Sequence, residues 1–345
     1  MKVYYSASLW DRPRGKAGTK QVLNWSFNHL GKKRIIPCIY RFSKGIVFDI
    51  ITPLEEDELK AFVKKAEEIN EEELSENQRR QLEQEHPYRQ VSLAEIWING
   101  EWVQEGFEST SSISMPFLRS DETLMPLSKV YRSSLKDGAC FACQRIRVSY
   151  PREATGIQKL KRRERGDKIN SLKLVTREEN IFYPLEQQFE LSEAKSHCEI
   201  KFLHPTTGKE HTLYFQREEN FEVPRVPTKE ERFYVTTAVY EITPPLGEGE
   251  HLEFDTSMSY KRQSTHPYAP ESTSSIAIIG GARGPTSLFI AGREKEERKG
   301  THNLPLQYCF SKMSIEESNS KMFVLQGLII KESSRELYEY KYNNF

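Results

Sequence analysis

The chain has 345 residues, room for two domains of roughly 150 residues each or for one large one. Its composition, 37% apolar and 29% charged with 18 Phe, 16 Tyr and 4 Trp, is polar but globular, which excludes a disordered chain. Five scattered cysteines exclude a disulfide scaffold. The absence of a run of about 18 apolar residues, or of an apolar leader, makes a soluble cytoplasmic protein without membrane partners the expectation.

A net charge of zero conceals segregation: residues 1–52 carry +8, residues 53–108 carry −10, residues 128–177 carry +10 and residues 178–345 carry −7. Blocks of this kind bear on association rather than on fold.

In chain order, Val3 to Leu9 reads as a strand, followed by a glycine-containing basic loop from Asp11 to Lys20 and a helix to Leu30. Strand, loop and helix is the setting of an anion-binding loop, although the G-x-x-x-x-G-K-[ST] order is absent. Residues 34–51 form a hairpin turning at Ser43, Lys44 and Gly45. Thr52 as N-cap, Pro53 at the first position and Glu55 closing a capping box then start a helix whose apolar face is Leu59, Phe62, Val63, Ala66 and Ile69. A second, exposed helix is expected over residues 71–86. Asn99 and Gly100 specify a type I′ hairpin that sets Trp97 across from Trp102.

Cys140 and Cys143 make a C-x-x-C on an expected strand, 139–150. Strand alternation sends positions i and i+3 to opposite faces, so the two thiols diverge; His197 and Cys198 are the residues that would complete four ligands. The basic stretch from Pro151 to Asn170, with Lys159, Lys161, Arg162, Arg163 and Arg165, has little to bury and reads as a linker or exposed loop. Further strands are expected at 171–176, 181–190, 233–243, 251–260, 275–279, 286–291, 305–311, 322–331 and 335–342. A hairpin turning at Thr207 and Gly208 makes His204 and His211 exposed cross-strand neighbours.

These elements give a mainly β (α+β) chain of sandwich or open-barrel-like layers, with a helical excursion at about 53–85. Its expected segments are a β-rich domain over 1–150 with the helical excursion, a basic linker or exposed loop over 151–177 and a second β-rich domain over 178–345. No G-x-S-x-G, H-E-x-x-H or spaced carboxylate pair names a catalytic residue, and the Ser133-x-x-Lys136 pattern lacks its companion motifs. No cofactor or metal site is expected.

The run Ile276-Ala-Ile-Ile-Gly280-Gly281-Ala-Arg283-Gly284-Pro-Thr286 resembles the I-I-G-G-A-D-G-P-T signature of the β subunit of sodium-translocating decarboxylases. That resemblance implies a cation path through the motif's acidic residue, a position Arg283 holds here. Read from the residues alone, Gly280, Gly281, Arg283, Gly284 and Thr286 form a shaped loop facing a ligand or partner. Three functions follow as expectations: a binding or assembly protein, its acidic 53–108 segment meeting a basic surface of another copy or of a partner; a polyanion or nucleic-acid binder using the basic 128–177 segment; and an enzyme with its site in a cleft between the β regions.

Overall fold

The computed structural model describes residues 2–10, 15–70, 74–118, 124–131, 135, 138–152, 162, 166–223, 233–257, 298–314, 318–333 and 335–342. The elements are β1 (Thr19–His29), β2 (Lys32–Arg41), β3 (Gly45–Pro53), α1 (Glu56–Glu67), α2 (Glu76–Glu85), β4 (Leu93–Ile98), β5 (Glu101–Trp102), β6 (Phe107–Ser114), α3 (Met125–Val130), β7 (Phe141–Ser149) and β8 (Ser171–Thr176). There follow β9 (Glu179–Ser192), β10 (His197–Leu203), β11 (Glu210–Val223), β12 (Phe233–Thr243), β13 (His251–Phe254), β14 (Gln307–Phe310), β15 (Ser320–Ser333) and β16 (Leu337–Lys341). The chain is mainly β, and the strands among the described residues lie in four antiparallel sheets. Among the described residues no helix is long and apolar enough to cross a membrane.

The chain divides into two compact units, Met1–Asn180 with Lys331–Phe345, and Ile181–Ile330. This differs from the expected segments. Within 151–177 the residues Ser171–Thr176 form β8, which pairs between β16 and β4, and the C-terminal strand β16 belongs to the first unit.

In the first unit a five-stranded sheet, β1-β2-β3-β7-β6, faces a four-stranded sheet, β16-β8-β4-β5. Between them Phe27, Ile36, Phe48 and Ile146 pack on Ile96, Ile98, Leu172 and Leu174. The opposite face of the five-stranded sheet packs Tyr40, Val47, Ile51, Phe141 and Cys143 against Val3, Leu124, Leu127 and Tyr131. Strand β3, covered on both faces, is buried from Gly45 to Thr52, which explains its unbroken apolar run.

Inside that second core lies one charged pair. Asp49 and Arg145 are register partners on β3 and β7; Arg145 Nε donates to Asp49 Oδ1 at 2.8 Å and Nη2 to Oδ2 at 2.9 Å. Tyr131 Oη donates to Oδ2 at 2.6 Å, and Arg145 Nη1 donates to the Ser8 carbonyl at 3.2 Å. Burial works against the Arg145 charge, but the Asp49 carboxylate outweighs it and holds the guanidinium above its ordinary pKa. The pair thus ties two strands and two peripheral segments at one buried point.

Several local expectations are corrected. Residues 19–29 are a strand rather than a helix, and Val3 to Leu9 is not a strand. The period there is two, with Leu23, Phe27 and His29 buried and Val22 and Asn28 exposed, and the chain turns at Leu30 (φ 49) and Gly31 (φ 70) into β2. No helix N-terminus follows the basic loop, so the anion-binding setting is lost. Thr52 does not cap α1: it remains in β3, where its hydroxyl accepts from the buried Arg34 Nη1 at 2.6 Å, and Glu55 precedes the helix without a capping side chain. The helix itself keeps its expected face, centred on buried Leu59. A capping box does start α2, between Ser75 and Gln78, and that helix buries no residue. Strand β6 is an addition.

The Asn99-Gly100 hairpin forms as expected, with φ of 52 and 85 and Trp97 opposite Trp102.

In the second unit the sheets β10-β11-β12-β14 and β13-β15-β9 enclose Phe189, Phe202, Leu213, Phe215, Phe323, Leu325 and Leu328. Phe189 lies between Phe215 and Phe323, with ring centroids at 4.4 and 5.3 Å. Both units are therefore layered sandwiches.

Removing one member of a buried pair strands the other. Asp49→Ala is expected to cost about 3–5 kcal/mol in urea unfolding, whereas Glu58→Ala, which removes an exposed partner of Lys32, costs less than about 1 kcal/mol. Equal effects would show that the Asp49 contacts do not hold the first unit together.

Candidate binding site

On β10 and β11, alternation puts His197 and Glu199 on the face that also carries Gln216 and Tyr214, their register partners. Continuing the same rows, Gln216 pairs with Val239 and Tyr214 with Glu241 on β12. These side chains, with Thr301, His302 and Leu306, line a hollow of about 270 Å³. The sheet's other face is the core, so the strands beneath the hollow are fixed by aromatic packing.

One wall is built by a buried carboxylate. Glu241 accepts from the backbone N–H of His302 at 2.9 Å and of Leu304 at 3.1 Å, from His302 Nδ1 at 3.0 Å and from Thr301 Oγ1 at 3.3 Å. The segment 300–304 closes on itself through Gly300 and Leu304 and lays the His302 ring on Tyr214, with centroids 3.9 Å apart. A Cβ at Gly300 would overlap the Glu241 carboxylate, so this approach requires glycine. Burial pushes the Glu241 carboxyl up, but the hydrogen bonds from His302 and Leu304 prevail and set it below the ordinary 4.5. The carboxylate is thus spent on holding the wall, while Glu199, Gln216 and His197 on the floor are exposed. Glu199 has Lys201 only at 4.0 Å, and His197 Nδ1 is 2.9 Å from Ser196 Oγ.

Of the residues singled out from sequence, His197 and Cys198 line the hollow. Gly280, Gly281, Arg283, Gly284 and Thr286, the expected strands 275–279 and 286–291, and Ser133 and Lys136 lie outside the described residues, as do Lys159, Lys161, Arg163 and Arg165. Arg162 is described, and its guanidinium is engaged with Asp167, the Arg152 carbonyl and the Tyr150 ring. Cys140 and Cys143 diverge as strand alternation requires: Cys140 packs with Leu54 and Leu59, Cys143 with Phe141 and Tyr131. Burial pushes the Cys38, Cys143 and Cys309 thiols up, which leaves none of these three as a ready nucleophile.

His204 and His211 are not register partners, although their ring centroids lie 5.6 Å apart. The register is Phe202 with His211 and Leu203 with Glu210, two residues away from the expectation, because the loop from His204 to Lys209 is longer than a two-residue turn. Both imidazoles are buried. His204 Nδ1 accepts from the Thr206 and Thr207 N–H groups at 3.3 Å, and His211 Nδ1 donates to the Pro244 carbonyl at 2.7 Å. Among the described residues no three His, Cys, Asp or Glu side chains are placed to hold a metal ion.

The hollow was not named from sequence, since its members come from three strands and a distant loop. The signal available was the polar alternation His197, Glu199 and Tyr214, Gln216 on paired strands. Comparisons with protein families, with curated proteins and with solved structures find no match for this chain.

At neutral pH Glu241→Gln is expected to cost about 1.5–3 kcal/mol, because its amide N–H₂ meets donors. A lowered folded-state pKa contributes stability that is complete above about 4.5 and is lost as pH falls through the folded value. The parent should therefore lose more stability than Glu241→Gln between about pH 6 and pH 3 in matched melts. Parallel acid profiles would contradict the role given to Glu241.

Proposed function

We propose that the chain is a binding protein whose second unit takes a small polar molecule in this hollow. The observation that carries the reading is the division of labour among its acidic groups: Glu241 is buried and committed to the wall, while Glu199 is exposed on the floor beside the Gln216 amide. A concave site with few convergent polar groups on rigid strands is the usual form of a small-ligand site. Two carboxylates and no arginine line it, so the favoured ligands are neutral or cationic molecules with hydrogen-bonding groups, such as polyols and amines. Carboxylates and phosphates are disfavoured by the like charge.

Saturation-transfer NMR on the full chain with matched sets of amines, polyols, carboxylates and phosphates tests this. Amines or polyols are expected to bind, and Glu199→Gln combined with Gln216→Ala should weaken them about tenfold or more, as loss of charge-assisted hydrogen bonds implies. Binding only of anions, or binders indifferent to both changes, would refute the assignment.

A further inference from the structure

The basic stretch of the sequence carries no aromatic residue between Tyr150 and Phe182, which separates charge from stacking along the chain. The fold of the first unit brings them together. On the outer face of β16-β8-β4-β5, register places Trp102, Trp97, Lys173 and Glu339 in one row across the four strands. Trp102 is 46% exposed, the ammonium of Lys173 lies 4.6 Å from the Trp97 ring centroid, and that of Lys168 lies 4.1 Å from the Tyr342 ring centroid.

The two ends of the basic stretch are fastened to the tryptophan hairpin. Asn99 Oδ1 accepts from the N–H groups of Asn170 and Ser171 at 2.7 and 3.2 Å, and Nδ2 donates to the Lys168 carbonyl at 3.0 Å. Arg152 Nε is 3.1 Å from Glu101. The carboxylates of this region are already matched: Glu95 by Arg335, Glu101 by Arg152 and Glu339 by Lys341. Lys173 stands opposite Glu339 in register and acts electrostatically on Glu95, and Lys168 lies over the Tyr342 ring; with Arg335, Arg152 and Lys341 they make five cations against the three carboxylates Glu95, Glu101 and Glu339.

We propose that this face binds single-stranded nucleic acid, with a base stacked on Trp102 and phosphates on Lys173 and Lys168. Stacking on a sheet-borne aromatic with flanking cations is the usual form of sequence-tolerant single-strand binding, and it requires unpaired bases. The charge excess favours a polyanion over a neutral glycan or a proline-rich peptide. This site is independent of the hollow in the second unit.

The test is titration of the full chain with a 20-nucleotide oligo(dT), followed by tryptophan quenching and by anisotropy of a labelled oligomer, over a salt series. Quenching is expected, with affinity falling as salt rises. Trp102→Ala should weaken binding roughly five- to 150-fold, with partial recovery in Trp102→Phe, and Lys168→Ala with Lys173→Ala should reduce the salt slope by about one each. Trp102 is exposed, so unchanged melting of these variants separates lost binding from lost fold. No binding at low salt, binding indifferent to Trp102→Ala, equal binding of duplex, or preference for an oligosaccharide or proline-rich peptide would overturn the proposal.

Discussion

A buried backbone N–H or C=O must have a partner, and in this protein the loops that leave the sheets find theirs in side chains. Gln144 of β7 receives the Val91 N–H at 3.0 Å and donates to the Val91 carbonyl at 3.0 Å, acting as one strand residue would. Gln21 does the same for Ile169, accepting its N–H at 3.1 Å and donating to its carbonyl at 2.6 Å. Asn99 holds the chain at 168–171, and Glu241 holds 300–304. Each clamp fixes a segment outside the strands or at the start of one, and both proposed surfaces stand beside such a clamp. The wall of the hollow is a Glu241 product, and Asn99 fastens the backbone of Lys168 beside the tryptophan hairpin, while β4–β8 pairing brings Lys173 to Trp97.

The buried charges follow the same logic at higher stakes. Asp49 is satisfied by Arg145 and Tyr131 together, so the cost of dehydrating a carboxylate is offset by three charge-assisted hydrogen bonds. Arg34 is the counterexample: buried, it donates to Thr52 and to the Arg89 carbonyl, stands 5.6 Å from the Tyr88 ring, and leaves Nε without a partner. Burial accordingly lowers its pKa. Specificity of strand register is what such groups contribute, since a one-residue slip of β3 against β7 would separate Asp49 from Arg145.

Period-two patterns and turn chemistry made much of the fold legible. Strands β8 and β12 lie where alternation puts them, and the Asn99-Gly100 pair set a register that the structure repeats. Residues 19–29 resemble a helix because a glycine-containing loop precedes them, although Leu23, Phe27 and His29 already alternate with polar neighbours. Thr52 looks like a cap because its hydroxyl precedes a proline, and only the distant Arg34 reveals why it stays in the strand. Register at His204 was invisible for a related reason: its imidazole collects loop N–H groups and lengthens the turn. The hollow was the least legible feature, since the pairing of Glu241 with a loop about 60 residues later has no periodic signature.

The clamping of loops by side chains is tested most directly by amide hydrogen exchange read residue by residue. In the parent protein the His302 and Leu304 amides should exchange slowly, at rates near those of the β12 amides. In Glu241→Gln these two should accelerate while the amides pairing β11 with β12 stay protected. Exchange of His302 and Leu304 at free-chain rates in the parent would contradict the account, because the wall of the hollow would then not be held by Glu241.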